Sequence, residues 1–185
     1  HGQISVAFTP DEEIGTGAQS FDVETFDADF GYTLDGDLEG EIQYENFNAY
    51  KATFDITGFS VHPGSSKNME INSMLPAGET PRGTEEYEGF YHLVSMSGDV
   101  CKATLNYIVR DHDASLMNAR LNTLRLIEKL MNEKWGEGTV KLEIAEQYRN
   151  MAEIVGTCMH LIENAKIACE NVGVTPNIIP IRGGT

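Results

Sequence analysis

Basic residues are scarce in this chain. Thirteen Lys and Arg stand against 29 Asp and Glu, for a formal charge of −16. A field of that sign repels phosphate backbones and anionic headgroups, which argues against nucleic acid and membrane surfaces as partners. The acidity favours solubility and, secondarily, attraction of metal ions or cationic substrate groups. Long apolar runs are also lacking. None approaches the roughly 20 residues needed to cross a bilayer, and the first residues carry no signal-peptide pattern. Cysteine is rare and odd in number: Cys101, Cys158 and Cys169 lack close metal-ligand spacing. Buried free thiols in a reducing cytoplasm are therefore expected. A starting Met is missing too. The chain opens His1-Gly2-Gln3 just before a strand-like run and stops at Ile181-Arg182-Gly183-Gly184-Thr185 in mid-motif, so a central piece of a longer protein is expected.

What is present suffices for folded cores. With 185 residues, 41% of them hydrophobic, the chain has room for one large domain or two small ones. Ile4 to Thr9 is a short β-branched run closed by Pro10, which predicts a buried strand. Phe30 to Leu34 predicts a second, and strand, crossover, strand over this length reads as a parallel βαβ pair. Glu41 to Phe47 predicts a further strand.

A different pattern follows. Ala52, Phe54 and Ile56 alternate with polar residues, as on a half-buried strand. A short helix is expected over 66–74, then a Pro- and Glu-rich loop, then strands over 87–96 and 102–110 around the Ser97-Gly98-Asp99 turn. Met117, Leu121, Leu124, Ile127 or Glu128, and Met131 recur at helical spacing, widened by Leu130, between an Asp113 or Ser115 cap and a Gly136 stop. Val140, Leu142 and Ile144 predict a last alternating strand. The order β-α-β-β-α-β over about 48–148 is that of a ferredoxin-like unit. Helix over 159–172 and a strand over 178–181 close the chain. The fold class expected is α/β, a parallel-sheet domain (1–47 and 149–185) interrupted by an inserted α+β domain (48–148).

Several residues could carry chemistry. Asp11-Glu12-Glu13 follows the first predicted strand and Asp35 closes the second, so both fall at the carboxyl ends of strands, where open parallel sheets gather ligands. Adjacent Glu residues in a loop point different ways, so one could bind a metal while the other acts as general base. An acidic helix-capping loop is the plainer alternative. His62-Pro63-Gly64 is a turn at a strand end. Arg110 ends a strand beside Asp111: either a surface ion pair of little energetic weight, or a guanidinium offered to a substrate carboxylate or carbonyl. Arg182 precedes Gly183-Gly184, where backbone could approach a ligand closely or simply turn.

Taken together, the motifs resemble peptidase T, the tripeptide aminopeptidase of the two-zinc aminopeptidase, carboxypeptidase and deacylase clan. They are Phe8-Thr9-Pro10-Asp11-Glu12-Glu13-Ile14-Gly15, Tyr32-Thr33-Leu34-Asp35-Gly36, Glu45-Asn46-Phe47-Asn48-Ala49, Val61-His62-Pro63-Gly64, Glu86 to His92, Tyr107-Ile108-Val109-Arg110-Asp111 and Pro180 to Thr185. They run end to end and in order. The resemblance implies that Glu12 is the general base, that Glu13 and Asp35 each ligate one of two Zn²⁺ ions, and that His62 stabilises the oxyanion in the partner subunit's site. It further implies that Arg110 and Arg182 orient a small peptide substrate and that the 48–148 domain is a lid pairing a cytoplasmic homodimer. Its His-x-Asp motif, bridging Asp and last His ligand have no counterpart in these 185 residues, so the chain alone is expected to be inactive. The lid's first helix looks short by roughly two and a half turns between Met69 and Leu75. Another amide hydrolase of the clan, a dipeptidase or an amino-acid deacylase, is the alternative, as is a non-catalytic dimerising lid.

Overall fold

The computed structural model describes residues 3–10, 17, 21–34, 38–57, 74–76, 78–99 and 101–182. The chain divides into two compact units, residues 1–37 and 38–185.

In the first unit, the regular element among the described residues is one helical turn, α1 (Val23–Phe26). Asp22 caps it: Oδ1 accepts from the Thr25 amide at 2.9 Å and Oδ2 from the Thr25 hydroxyl at 2.6 Å. The strands predicted over 4–9 and 30–34 do not form, and Ile4, Val6, Phe8 and Leu34 are exposed. The βαβ pair expected from them is therefore absent. The physical reason is pairing: a strand's backbone groups need a neighbouring strand, and none of the described residues provides one to either run.

The second unit contains a parallel pair, though between other segments. β1 (Glu41–Ile42) pairs with β6 (Asn177–Ile178), Glu41 opposite Asn177. The ladder runs on past the strands, the amides of Ile179 and Ile181 donating to the carbonyls of Ile42 (3.2 Å) and Glu45 (2.8 Å). Gly40 starts this pair at φ +88°, and a Cβ there would strike the Thr175 carbonyl and the Val174 side chain.

The main sheet comprises β2 (Asn48–Thr57), β3 (Phe90–Gly98), β4 (Lys102–Asp111) and β5 (Val140–Tyr148). Their order is β3-β4-β2-β5, every pair antiparallel. That is the ferredoxin-like order; the helix predicted over 66–74 lies mainly outside the described residues. Alternation works as predicted: Leu105, Tyr107 and Val109 of β4 and Ala52, Phe54 and Ile56 of β2 share one buried face. Burial pushes the Tyr107 phenol up to about 12.

Onto that face packs α2 (Ala114–Trp135) through Met117, Leu121, Leu124, Ile127 and Met131. Asp113 caps it, its Oδ1 accepting from the amides of Ser115 (2.7 Å) and Leu116 (2.8 Å), and Gly136 ends it at φ +105°. Leu130, predicted to widen the apolar stripe, is exposed instead, along with Leu116 and Leu126. The helix also meets the edge strand. Asn132 bonds both the amide and carbonyl of Val140 at 2.8 Å, and Glu128 accepts from the Leu142 amide at 2.7 Å. Two α-helical pieces follow, α3 (Ala152–Val155) and α4 (His160–Asn171), with a 3-10 turn (Gly156–Cys158) between them. The cysteines are free as expected, but Cys101 is exposed and Cys158 and Cys169 are only half-buried. Cys101 sits at the hairpin tip between β3 and β4, where no core is available to cover it. Among the described residues, no helix is long and apolar enough to cross a membrane.

Candidate active site

The C-terminal end of β4 gathers the site. Arg110 pairs with Ala49 of β2 and Phe90 of β3. It opens on a hollow of about 330 Å³ lined by Pro81, Phe90, His92, Ile108, Arg110 and Arg182. A larger hollow of about 470 Å³ lies along Lys51, Thr53, Glu143, Ile144 and Ala145. It holds none of the predicted site residues, so the smaller one is the candidate.

Arg182 reaches this place because the backbone ladder from β6 carries it alongside Glu45. Its carbonyl accepts from Arg110 Nη1 at 3.3 Å. One residue earlier, the Ile181 carbonyl meets His112 Nε2 at 3.2 Å, which makes that nitrogen the protonated one. His112 is buried, its ring 4.1 Å from Phe47 and 4.9 Å from Tyr87 between centroids. Burial, the largest influence, lowers its pKa. Arg110 Nε and the Tyr148 hydroxyl are both buried here, and neither makes a hydrogen bond of good geometry. Both residues pair with Ala49 from opposite sides, so they neighbour each other across β2. Burial raises the Tyr148 pKa, while Arg110 acts in the other direction.

Three asparagines fasten the chain where it enters and leaves the sheet. Asn48 Nδ2 donates to the carbonyls of Asp111 (3.2 Å) and His112 (3.0 Å), and its Oδ1 accepts from the Asn150 amide at 3.0 Å. Asn150 Nδ2 donates to the His112 carbonyl at 3.2 Å, and Asn46 Oδ1 accepts from the Met151 amide at 2.7 Å. Asp111 is not the surface partner of Arg110 that adjacency suggested. It is fully buried and accepts from Arg120 Nε at 2.7 Å, while Arg120 Nη1 pairs with Glu79. Adjacent strand residues face opposite sides of a sheet, so Arg110 and Asp111 could not meet.

Of the six predicted site residues, Arg110 and Arg182 are thus brought together. Glu12, Glu13, Asp35 and His62 lie outside the described residues. Among the described residues, no group of three or more His, Cys, Asp or Glu side chains could hold a metal ion. The sequence alone gave no role to His112, Tyr148 or the asparagines, although Asn46 and Asn48 stand in one of the quoted motifs. The polar run Arg110-Asp111-His112-Asp113 at the end of an apolar strand was the available signal.

No protein-family model matches the chain. Curated relatives do. It is 48% identical over 194 aligned positions to "Peptidase T" of Clostridium novyi, covering 100% of this chain and 48% of the relative. It is 50% identical over 194 positions to "Peptidase T" of Desulfitobacterium hafniense, covering 100% and 47%. The chain is similar to these peptidase T proteins along its whole length. It spans about half the length of the peptidase T relatives it matches. Their alignments hold nine more positions than the 185 residues here (194 − 185 = 9). Solved structures agree on the fold. An aminopeptidase PepT from Bacillus cereus superposes with TM-score 0.69 at 23% identity, over 92% of this chain and 48% of its own. A tripeptidase from Staphylococcus aureus superposes with TM-score 0.75 at 19% identity, over 96% and 50%. An amidase of the hydantoinase/carbamoylase family from Burkholderia vietnamiensis shares the fold more distantly, with TM-score 0.53 at 12% identity over 77% of this chain and 37% of its own.

Proposed function

We propose that the full-length protein is a cytoplasmic, homodimeric, zinc-dependent aminopeptidase that removes the N-terminal residue of tripeptides. The observation that carries this reading is the identity of about half of all positions to peptidase T along the whole chain. Residues 1–47 and 149–185 belong to the catalytic domain and 48–148 form the lid. Glu12 accepts the proton of the attacking water as general base. Glu13 and Asp35 each ligate one zinc, completed by ligands beyond these 185 residues. When bound, the two ions lower the pKa of the attacking water and polarise the scissile carbonyl. His62, reaching across from the partner's lid, donates a hydrogen bond to the developing oxyanion. Arg110 and Arg182 orient the peptide, Arg110 by direct contact and Arg182 by shaping the hollow that both line. Pairing of lids is supported by Leu116, Leu126 and Leu130, an apolar stripe left exposed on α2.

The test uses the full-length protein loaded with zinc and supplied with tripeptides, dipeptides and N-acyl amino acids. Tripeptides should be cleaved and release their first residue. Glu12→Gln should lower kcat by at least about 10²-fold, the lower range for loss of a general base, with zinc content unchanged. Turnover of N-acyl amino acids without tripeptide cleavage would make the protein another amide hydrolase, and zinc loss in Glu12→Gln would make Glu12 a ligand.

A further inference from the structure

The two arginines at the hollow are held in different ways. Arg182 Nη1 donates to the carbonyls of Glu86 (2.6 Å) and Glu88 (3.2 Å), and Nη2 to the Thr84 carbonyl (3.2 Å) and hydroxyl (2.9 Å). Its guanidinium lies over the rings of Phe47 and Phe90, at 5.4 and 5.9 Å. Both terminal nitrogens are therefore committed to a single stretch of backbone. That stretch is bent to suit: Glu86 stands at φ +45°, a conformation that persists only where the surroundings hold it. Arg110 offers a contrast: its Nη1 reaches only the Arg182 carbonyl, at 3.3 Å, and its side chain lines the hollow.

The loop that Arg182 grips also forms a wall of the hollow. Pro81 lines it, between two anchor points. At the near end, the Glu79 carbonyl accepts from the Tyr91 amide at 2.9 Å and the Glu79 carboxylate pairs with Arg120. At the far end is Arg182. Gly89 closes the loop so tightly against Asp111, Arg120 and the Arg110 carbonyl that a Cβ there would collide with all three.

We propose that Arg182 is a positioning residue. It holds residues 84–88, and through them the Pro81 wall, while Arg110 alone of the pair presents its guanidinium to the substrate. This assignment rests on the tripeptidase reading only for its catalytic consequences. A guanidinium engaged at both terminal nitrogens has no fork left for a substrate carboxylate. Its loss should act on substrate affinity through the wall.

Backbone hydrogen exchange and steady-state kinetics on the full-length protein test this together. The amides of Gly83, Glu88 and Tyr91 bond within the loop to the carbonyls of Thr80, Glu85 and Glu79. In Arg182→Ala they should exchange at least about tenfold faster, while core amides such as Leu105 and Leu124 keep their protection. KM should rise with kcat little changed. The penalty should be the same for a tripeptide and for its C-terminal amide, measured as substrate or as competitive inhibitor, because no contact to the carboxylate is lost. Unchanged loop exchange, or a penalty confined to the free carboxylate, overturns the proposal. If Arg182→Ala loosens the whole fold, Arg182→Lys takes its place: it keeps the charge, loses the fork, and must show the same localised acceleration or the proposal fails. Absence of tripeptide turnover in the unaltered protein would refute the tripeptidase reading and leave the exchange result to stand alone.

Discussion

Residues 48–57 and residues 4–9 both carry apolar, strand-forming sequence, yet only the first became a strand. In β2, Ala52, Phe54 and Ile56 are buried between two neighbouring strands and under α2. In the other segment, Phe8 is 94% exposed and no strand forms among the described residues. The composition of the two runs is similar. What differs is the presence of partners within the same stretch of chain. The stretch of chain from 48 to 148 contains both of β2's neighbours and the helix that covers them. Each buried aromatic or aliphatic side chain there contributes on the order of 2 to 3 kcal/mol. A parallel strand needs crossovers to distant neighbours before any of its backbone bonds can form.

The sharpest way to break this contrast is mutation at its two poles. Phe54→Ala removes a fully buried ring packed at 6.0 Å against Tyr107, and should cost about 3 to 5 kcal/mol. Urea or thermal unfolding followed by circular dichroism would measure it. A cost below about 1 kcal/mol would mean that the sheet core is not packed as described.

A second test concerns the junction at the end of β4. The pKa of His112 is lowered, chiefly by burial. In the unfolded chain it returns to about 6.5. Below that pH the unfolded chain takes up a proton that the folded chain resists, so stability contributed by neutral His112 is present above 6.5. It is lost as the pH falls through 6.5 toward the lowered folded value. Urea midpoints between pH 5 and 7.5 should therefore decline on the acid side in the unaltered protein and decline less in His112→Gln. Equal slopes would mean that His112 is not buried as a neutral ring.

The smallest effect is expected at the other pole. Phe8→Ala in this 185-residue chain should shift stability by no more than about 0.5 kcal/mol, the range for surface positions. A larger loss by the same unfolding measurement would show that residues 4–9 have found a packing surface after all.

Legibility in the sequence followed the same division. The α2 helix could be read nearly to its ends, because Asp113, the apolar spacing and Gly136 are local signals with local effects. The alternation in β2, β4 and β5 could be read for the same reason. At the candidate site, the sequence pointed to Arg110 and Arg182 but not to their separate situations. Nothing in the sequence around Arg182 indicates that the carbonyls of Thr84, Glu86 and Glu88 converge on it, since that contact spans more than ninety positions. Of the two readings adjacency allowed for Arg110, the surface pair with Asp111 is the one that strand geometry forbids.

By itself, then, the sequence determined the acidic character, the helix and strands over 48–148 and the similarity to peptidase T, since periodicity and motif order are properties of the chain alone. Only the tertiary structure decided which apolar runs found partners, that Asp111 turns inward to Arg120, and that Arg182 grips a loop while Arg110 lines the hollow beside it. Hydrogen bonds between segments far apart in the chain depend on where the backbone is brought, and that is set by the packing of the whole fold.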